Sequence, residues 1–212
     1  MTVPLLILGA GGHARVLIEA LLAGGEVIAG IVDIDPALQG KTLMGIPVLG
    51  GDEIVDDFPR GEIRLVNGIG SIRDTRRRRE LFDRFAARGY LFATVVHPAA
   101  VVASDAVLEE GAQVMAGAVI QPGCRVGRNS IINTKSSADH DCLIGDHVHI
   151  APGVTLSGDV QIGDHAHVGT GATVIQGVVI GADSLVAAGA VVVRNVTAGA
   201  RVMGMPAKEV QS

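Results

Sequence analysis

The clearest pattern in the chain is an aliphatic residue at every sixth position from Val102 to Val192. The recurring residues are Val102, Leu108, Val114, Ile120, Val126, Ile132, Ala138, Ile144, Ile150, Leu156, Ile162, Val168, Val174, Ile180, Val186 and Val192. A period of six fits neither the 3.6-residue period of a helix nor the alternation of an ordinary strand. It is typical of a parallel β-helix built from hexapeptide repeats, in which each short strand ends at a turn.

A second period of eighteen residues lies on top of the first. Glycine follows the aliphatic residue at Gly127, Gly145, Gly163 and Gly181. Small or β-branched residues precede the aliphatic residue by two positions, for example at Ala112, Cys124, Ser136, Cys142, Val154 and Ala172. Three hexads therefore make one coil of a triangular prism, whose parallel rungs lie about 4.8 Å apart.

The N-terminal segment has a different pattern, which predicts a strand, a glycine turn and a helix. Pro4–Leu8 is an apolar run that stops at the sequence GAGGHA, and Val16–Leu22 has the apolar spacing of a helix. A second strand, Glu26–Val32, ends at Asp33. The set matches G-x-G-x-x-A followed by an acidic residue, in which glycines let a phosphate approach a helix N-terminus. Glycines at such turns also occur for purely steric reasons, so this alternative stays open.

The remaining N-terminal elements predict a small three-layer, Rossmann-like α/β domain. They are strands at Ile46–Leu49, Ile63–Val66 and Tyr90–Val95, and an amphipathic helix at Thr75–Arg88. A ligand would bind at the carboxyl ends of the strands, where Gly9–His13, Asp33 and Gly68–Ser71 fall. Because proline cannot donate to a strand ladder, His97-Pro98 marks the boundary between domains at residues 1–96 and 97–212.

Composition and charge narrow the classes of function. The chain has 2% aromatic residues and 29 glycines, which suits a narrow prism, and a net charge of −5, which gives no basic surface for nucleic acid or an anionic membrane. The exception, Arg76–Arg79, is expected to be the solvated face of a helix. No apolar run reaches the roughly 18 residues of a membrane span, and Met1–Ala10 lacks the features of a signal peptide, so we expect a cytoplasmic protein.

Five of the seven histidines lie in the repeats. His147 with His165 and His149 with His167 are one coil apart, which indicates an exposed polar ladder or, as an alternative, a metal site. His140 differs, because the flanking carboxylate of Asp141 could hold it in one tautomer at a corner of the prism. A catalytic base and a polar surface histidine are both compatible with this pattern.

Two further features of the repeats bear on chemistry. Gly153, Gly171 and Gly189 stack one coil apart beside Thr170 and Ala188, so a thin cofactor arm could lie against this strip; glycines placed only for turn geometry are the alternative. Cys124 and Cys142 are also one coil apart. They are expected to be packed free thiols, because their side chains are parallel and the two Cβ atoms stay near the strand spacing, which is too long for a disulfide.

Together these motifs resemble the NeuD-type sugar acyltransferase family. The shared features are GAGGHA, an acidic strand end, H-P-x-A, the hexapeptide prism, N-T-x-x-x-x-D-H-D-C-x-I-G-D-x-x-H and a closing V-M-G-M-P-A-K. Members acetylate the amine of UDP- or GDP-linked 4-amino-sugars, and sialic-acid O-acetyltransferases are relatives. The resemblance implies a left-handed prism and a homotrimer with acetyl-CoA between adjacent prisms.

The resemblance also implies roles for individual residues. His140 matches the general base and Asp141 its acidic neighbour, while His149, Thr170 and Ala188 match positions that contact acetyl-CoA. Positions around the nucleotide-linked sugar are matched by Gly11, Gly12, His13, Asp33 and Gly70. The chain departs from the family at Gly70-Ser71-Ile72, where many relatives read G-N-N or G-D-N.

The resulting hypothesis is an acetyl-CoA-dependent N-acetyltransferase for a nucleotide-linked 4-amino-4,6-dideoxy sugar of surface glycan biosynthesis, with no metal. Transfer is expected to be direct, because both cysteines point into the core and no serine has a histidine partner readable from spacing. The alternatives are a sialic-acid type O-acetyltransferase, a scaffold, and a trimeric metal-binding β-helix protein with histidines converging across subunits.

Overall fold

The computed structural model describes residues 3–72 and 74–210, which form an α/β domain followed by a prism. The elements of the first domain are β1 (Leu5–Leu8), α1 (Gly12–Ala23), β2 (Ile28–Val32), β3 (Thr42–Leu43), β4 (Ile46–Gly50), a 3-10 helix (Asp52–Asp57), β5 (Arg64–Asn67) and α2 (Arg76–Ala87). The strand order is β3-β4-β2-β1-β5, parallel except for the β3–β4 pair.

The first domain has three layers because alternate residues of β1 face opposite sides of the sheet. Leu5 and Ile7 pack in one cluster with Leu17 of α1, and Leu6 and Leu8 pack in the other with residues of α2. The expected Rossmann-like architecture is confirmed.

Two details of that expectation are wrong. The strand expected at Ile46–Leu49 is present as β4, but its hairpin partner β3 and the 3-10 helix were not predicted, because these short segments lack a readable period. The strand expected at Tyr90–Val95 is only a bridge between Phe92 and Leu65, since Val95 already pairs with Gln113 in the prism. The division after residue 96 stays a prediction.

The prism consists of short strands, nearly all of two residues. They are β6 (Val95–Val96), β7 (Val101–Val102), β8 (Val107–Leu108), β9 (Gln113–Val114), β10 (Val119–Ile120), β11 (Arg125–Val126), β12 (Ile131–Ile132), β13 (Ser137–Ala138), β14 (Leu143–Ile144), β15 (His149–Ile150), β16 (Thr155–Leu156), β17 (Gln161–Ile162), β18 (His167–Val168), β19 (Thr173–Val174), β20 (Val179–Ile180), β21 (Leu185–Val186), β22 (Val191–Val192), β23 (Arg201–Met203) and β24 (Lys208–Glu209).

These strands form three sheets, which we number in chain order. Sheet 1 contains β6, β9, β12, β15, β18, β21, β23 and β24; sheet 2 contains β7, β10, β13, β16, β19 and β22; sheet 3 contains β8, β11, β14, β17 and β20. Neighbouring rungs are eighteen residues apart, as in the pairing of His149 with His167. The parallel β-helix expected from the repeats, with the left hand that the family resemblance implies, is confirmed.

The second residue of each central strand points into the prism. Ile120, Ile150 and Val174 are all at most 1% exposed, and the small residues two positions earlier lie in the same core. Cys124 and Cys142 are buried, free thiols of that core, as expected from their register. Their S–H groups donate to the carbonyl oxygens of Asp139 and Ser157 at 3.0 and 3.2 Å.

The three corners of the prism are named by the sheets that they join. The 1–2 corner contains Asn133, Thr134 and Pro152, the 2–3 corner contains His140, and the 3–1 corner contains Asn129 and His147, as their positions between strands show. Glycines at the start of the 3–1 corner are sterically required, because a Cβ at Gly163 would lie 2.5 Å from the Ala182 nitrogen of the next coil. This contact explains the eighteen-residue glycine period.

We expect Gly163→Ala to lower the free energy of unfolding by about 1–3 kcal/mol, because two backbones would have to move apart. The matched control is Gly12→Ala, since a Cβ at Gly12 in α1 meets no atom within 4 Å. Alanine is favoured over glycine in a helix, so the control should be as stable as the parent or slightly more stable. Thermal unfolding at equal protein concentration compares the three proteins, and equal transition temperatures for both variants would contradict this account.

Candidate active site

A cavity of about 870 Å³ lies between the first domain and the 1–2 corner of the prism. Its walls include six of the ten residues that the sequence singles out: Gly11, Gly12, His13, Asp33, Gly70 and His149. The prism contributes His149 together with Asn133, Thr134 and Pro152. The cavity therefore joins the glycine turn, expected to hold a nucleotide, to the prism wall.

Asp33 connects the end of β2 to the glycine turn. Its Oδ2 accepts the backbone N–H of Ala10 at 2.6 Å, and its Oδ1 accepts the N–H of Asp35 at 2.9 Å. A carboxylate has about four acceptor positions, so Asp33 can bind a ligand hydroxyl or N–H while it holds the turn.

His13 connects the glycine turn to the prism. Its Nε2 lies 2.8 Å from Oε1 of Gln113, whose Nε2 donates to the carbonyl oxygen of Asn67 at 2.9 Å. The amide orientation of Gln113 makes Nε2 of His13 the donor. Burial, and secondarily the charge of Arg78, lower the pKa of His13 to about 4, so the ring is neutral at physiological pH.

Arg78 corrects the expectation of a solvated basic face on α2. Its side chain is 1% exposed, whereas Arg76 and Arg77 on the same helix are exposed. The guanidinium donates to the carbonyl oxygens of Asn67 at 2.9 Å, Ile69 at 2.7 Å and Asn129 at 3.0 Å. Burial lowers its pKa to about 9. Arg78 thus ties the loop after β5 to the 3–1 corner of the prism.

The stacked histidines also correct an expectation, because they are not an exposed ladder. His147, His149 and His167 are 5%, 6% and 8% exposed, since the first domain covers sheet 1. Burial is the main cause of a lowered pKa in each case: to about 4 for His147, well below the usual 6.5 for His149, and lowered for His167. No three His, Cys, Asp or Glu side chains within the described ranges form a group suited to a metal ion.

A serine with a histidine partner, which spacing alone did not reveal, lies in the cavity. Ser71 Oγ is hydrogen-bonded to Nδ1 of His149, and Nε2 of His149 lies 3.1 Å from Nδ2 of Asn133. Seventy-eight residues separate Ser71 from His149, so no local pattern could have predicted the pair. The two ring nitrogens of His149 are therefore both engaged within the protein.

His140 and Asp141 lie at the 2–3 corner and do not line the cavity. Nδ1 of His140 is 2.9 Å from Oδ2 of Asp141, whose backbone has φ 62°, so the corner turns the two side chains toward each other. The hydrogen bond that His140 donates to Asp141 is the main reason that the pKa of the exposed His140 is raised. Nε2 faces Gly158 of the next coil, where any Cβ would overlap the ring.

Thr170 and Ala188 are exposed at the 1–2 corner. They continue the column of Thr134 and Pro152 along the prism, each eighteen residues after the one before. Gly153, Gly171 and Gly189 beside them have φ of 67–69°, and a Cβ at any of the three would meet no atom within 4 Å. The three glycines therefore fit the turn geometry, and the space beside them is open along the corner that Thr134 and Pro152 share with the cavity.

Both parts of the chain match models of known protein families. Residues 4–85 match the PglD N-terminal domain, and residues 105–137, 141–176 and 159–194 match the bacterial transferase hexapeptide model. GDP-perosamine N-acetyltransferase of Escherichia coli O157:H7 is 32% identical over 72% of this chain and 69% of that protein.

Solved structures match over nearly the whole chain. The acetyltransferase domain of PglB from Neisseria gonorrhoeae FA1090, in complex with acetyl coenzyme A, is 35% identical with a TM-score of 0.91, covering 99% of this chain and 100% of that one. A histidine-to-asparagine mutant of perosamine N-acetyltransferase from Caulobacter crescentus, with CoA and GDP-perosamine, is 39% identical with a TM-score of 0.90, covering 99% and 97%.

Fold and cavity together define a hexapeptide-repeat acyltransferase. The chain belongs to the NeuD-type family of sugar acetyltransferases, which joins a PglD-type N-terminal domain to a hexapeptide prism. Within residues 3–72 and 74–210, no helix has the length and apolarity needed to cross a bilayer.

The buried histidines predict a loss of stability below neutral pH. Because the pKa values of His13 and His147 fall to about 4 on folding, the unfolded chain binds more protons between pH 6.5 and 4. The contribution of these histidines to the free energy of unfolding is therefore fully present above pH 6.5. It falls as pH decreases, by up to about 1.4 kcal/mol per pH unit for each proton taken up on unfolding. His149 and His167 act in the same direction, and exposed His140, whose pKa is raised, acts in the opposite one.

Urea unfolding at pH 7 and pH 5 measures this difference. His147→Gln is the matched variant, because it removes one of these histidines and should make the pH dependence smaller. A midpoint that stays constant from pH 7 to pH 5 would show that the histidines are not buried in the neutral form.

Proposed function

We propose that this chain transfers the acetyl group of acetyl-CoA to the amine of a nucleotide-linked amino-sugar of the 4-amino-4,6-dideoxy type. The observation that supports this most strongly is the single cavity that joins the glycine turn and Asp33 to the prism wall. Its volume of about 870 Å³ and its lining by both domains suit a nucleotide against the glycine turn and a sugar against the prism. Similarity to proteins named for GDP-perosamine supports a GDP-linked substrate of surface glycan biosynthesis.

Charges of both signs line the cavity: Asp33, Asp52 and Glu80 are acidic, and Arg77 and Arg84 are basic, with Arg84 paired to Asp52. Arg77 lines the wall, and the guanidinium of Arg78 is buried behind it without a carboxylate partner among the described residues. The charge of Arg78 also contributes, after burial, to the lowered pKa of both His13 and His149, so its positive potential reaches these two cavity-lining side chains. A nucleoside diphosphate would be attracted by this potential.

His140 is proposed as the general base. With Nδ1–H donating to Asp141, the free lone pair is on Nε2, which can take a proton from the sugar amine as it attacks the thioester carbonyl. Asp141 holds this tautomer and raises the pKa, which makes the ring a stronger base. Nε2 of His149 accepts from the NH₂ group of Asn133, so the ring N–H is on Nδ1 and donates to Ser71, and no lone pair faces the serine to take its proton; transfer would therefore be direct.

A complete site requires a second copy of the chain. His140 lies at the 2–3 corner, whereas the cavity and the Thr170–Ala188 column lie at the 1–2 corner of the same prism. One triangular prism cannot turn both corners toward one substrate. We therefore propose a homotrimer in which His140 of one protomer faces the cavity of its neighbour and acetyl-CoA lies along Thr170 and Ala188 between the prisms. The cytoplasm is the proposed location, since both thiols are free.

His140→Ala should lower kcat by roughly 10² to 10⁴, the range for loss of a general base, without changing the trimer mass. Because the base must be unprotonated, wild-type kcat should rise with pH through a pKa above 6.5 and then level off. Asp141→Asn should reduce kcat less and move this rise to lower pH. Rates from pH 6 to 9 with GDP-perosamine and acetyl-CoA test the assignment, and it fails if His140→Ala keeps most of its kcat.

Asp33→Ala should raise KM for the sugar nucleotide by about tenfold and change kcat much less, because Asp33 binds ligand and shapes the turn without taking part in proton transfer. The matched control is Asp35→Ala. Asp35 is exposed and accepts only the N–H of Ala37 at 2.9 Å. Steady-state kinetics of both variants decide the point; a collapse of kcat with constant KM would assign Asp33 to the chemistry instead.

A further inference from the structure

The pair formed by Ser71 and His149 is part of a longer hydrogen-bond chain along the cavity wall. The backbone N–H of Thr134 donates to Oδ1 of Asn133 at 2.8 Å, and Nδ2 of Asn133 lies 3.1 Å from Nε2 of His149. Nδ1 of His149 then contacts Ser71 Oγ. All four residues line the cavity, and the chain crosses from the prism to the first domain.

The donor and acceptor roles along this hydrogen-bond chain follow from the bond between Thr134 and Asn133. A backbone N–H can only donate, so the atom of Asn133 that faces Thr134 is the carbonyl oxygen, and the atom that faces His149 is the NH₂ group. Nε2 of His149 must therefore accept. A neutral imidazole has one N–H, which is then on Nδ1, and burial keeps the pKa of His149 well below 6.5.

The consequence for Ser71 is that its oxygen accepts from His149 and its own hydrogen is left to donate. Within the described residues, the second contact of this hydroxyl is Nδ1 of His167 at 3.4 Å, which is a long and weak hydrogen bond. A ligand oxygen in the cavity at about 2.7 Å would take the hydrogen instead. Ser71 is half-buried, so its loss of solvation on binding is small.

We propose that Ser71 is a specificity-determining residue whose hydroxyl, directed by Asn133 and His149, donates a hydrogen bond to an oxygen of the sugar. The inference rests on the proposed function for the identity of the sugar nucleotide. The sugar is assigned to Ser71 because this hydroxyl contacts His149 on the prism wall, the side on which the proposed acetyl-CoA column of Thr170 and Ala188 continues Thr134 and Pro152. Asn133 and His149 act as positioning residues for this donor.

The first test measures the proton arrangement without any catalytic assay. Ring nitrogens of the full-length protein labelled with [¹⁵N]histidine are observed by NMR at pH 7, and His149 is assigned by comparison with His149→Gln. The proposal expects His149 to be neutral with hydrogen on Nδ1, the less common tautomer of a free imidazole. Hydrogen on Nε2 would overturn the proposal, since Ser71 would then donate to His149 and have none left for a ligand.

The second test separates sugar from phosphate as the acceptor. KM for GDP-perosamine and the inhibition constant of GDP are measured for Ser71→Ala and for Ser71→Thr, which keeps the hydroxyl. Ser71→Ala should raise KM by about three- to tenfold with the GDP constant unchanged, as expected for loss of one neutral hydrogen bond, and Ser71→Thr should stay close to wild type.

Each other outcome has a distinct meaning. An unchanged KM in Ser71→Ala contradicts the proposal, and an equal rise in both constants moves the contact to a phosphate and contradicts the assignment to the sugar. If wild-type protein does not turn over GDP-perosamine, the proposed substrate is wrong, while the NMR result still decides whether Ser71 is a free donor.

Discussion

The position of every residue in the cavity depends on how the first domain is held against sheet 1, and Arg78 makes the central contact. Its buried guanidinium bonds to carbonyl oxygens of Asn67, Ile69 and Asn129, which lie on both sides of the domain junction. A buried cation is costly unless its N–H groups are paired, so the junction is favourable only in an arrangement that supplies oxygens to Nε and Nη1; Nη2 has no partner among the described residues. The loop that follows, with Gly70 and Ser71, is thereby fixed as one wall of the cavity.

The triangular shape of the prism imposes a second constraint. Each coil passes through three corners, and residues on different corners cannot face one bound molecule. The proposed base His140 and the cavity are one corner apart on the same prism. In the proposed trimer, three prisms packed around an axis would bring unlike corners of adjacent copies together, so the separation of base and cavity is the reason for proposing assembly.

The sequence predicted the prism well because its constraints are local and repeated. Inward positions must be aliphatic or small, and Gly163 and its equivalents must lack a Cβ because the next coil is in contact with them. The contact between His140 and Asp141 could also be predicted from the sequence, since a corner places adjacent residues side by side. The same logic located the glycine turn and Asp33 at the strand ends of the first domain.

What the sequence could not predict depends on docking between distant segments. Arg78 appeared to belong to a solvated basic run, and the histidines of sheet 1 to an exposed ladder, because nothing near them in the chain shows that another domain covers them. The partnership of Ser71 with His149 has the same origin. The only local sign of a special role for Ser71 was the departure of Gly70-Ser71-Ile72 from the family pattern. That departure could be interpreted only once the structure placed Ser71 in the cavity wall.

Mixing two inactive variants tests the shared site most directly. His140→Ala lacks the base, and Gly11→Trp fills the cavity, which Gly11 lines with an extended backbone that accepts any residue. If base and cavity come from different protomers, trimers reassembled from equal amounts should recover about one quarter of the wild-type rate, because each site needs one intact partner of each kind. If both belong to the same protomer, every site contains a defect, and mixtures with no more activity than the separate variants would contradict the account.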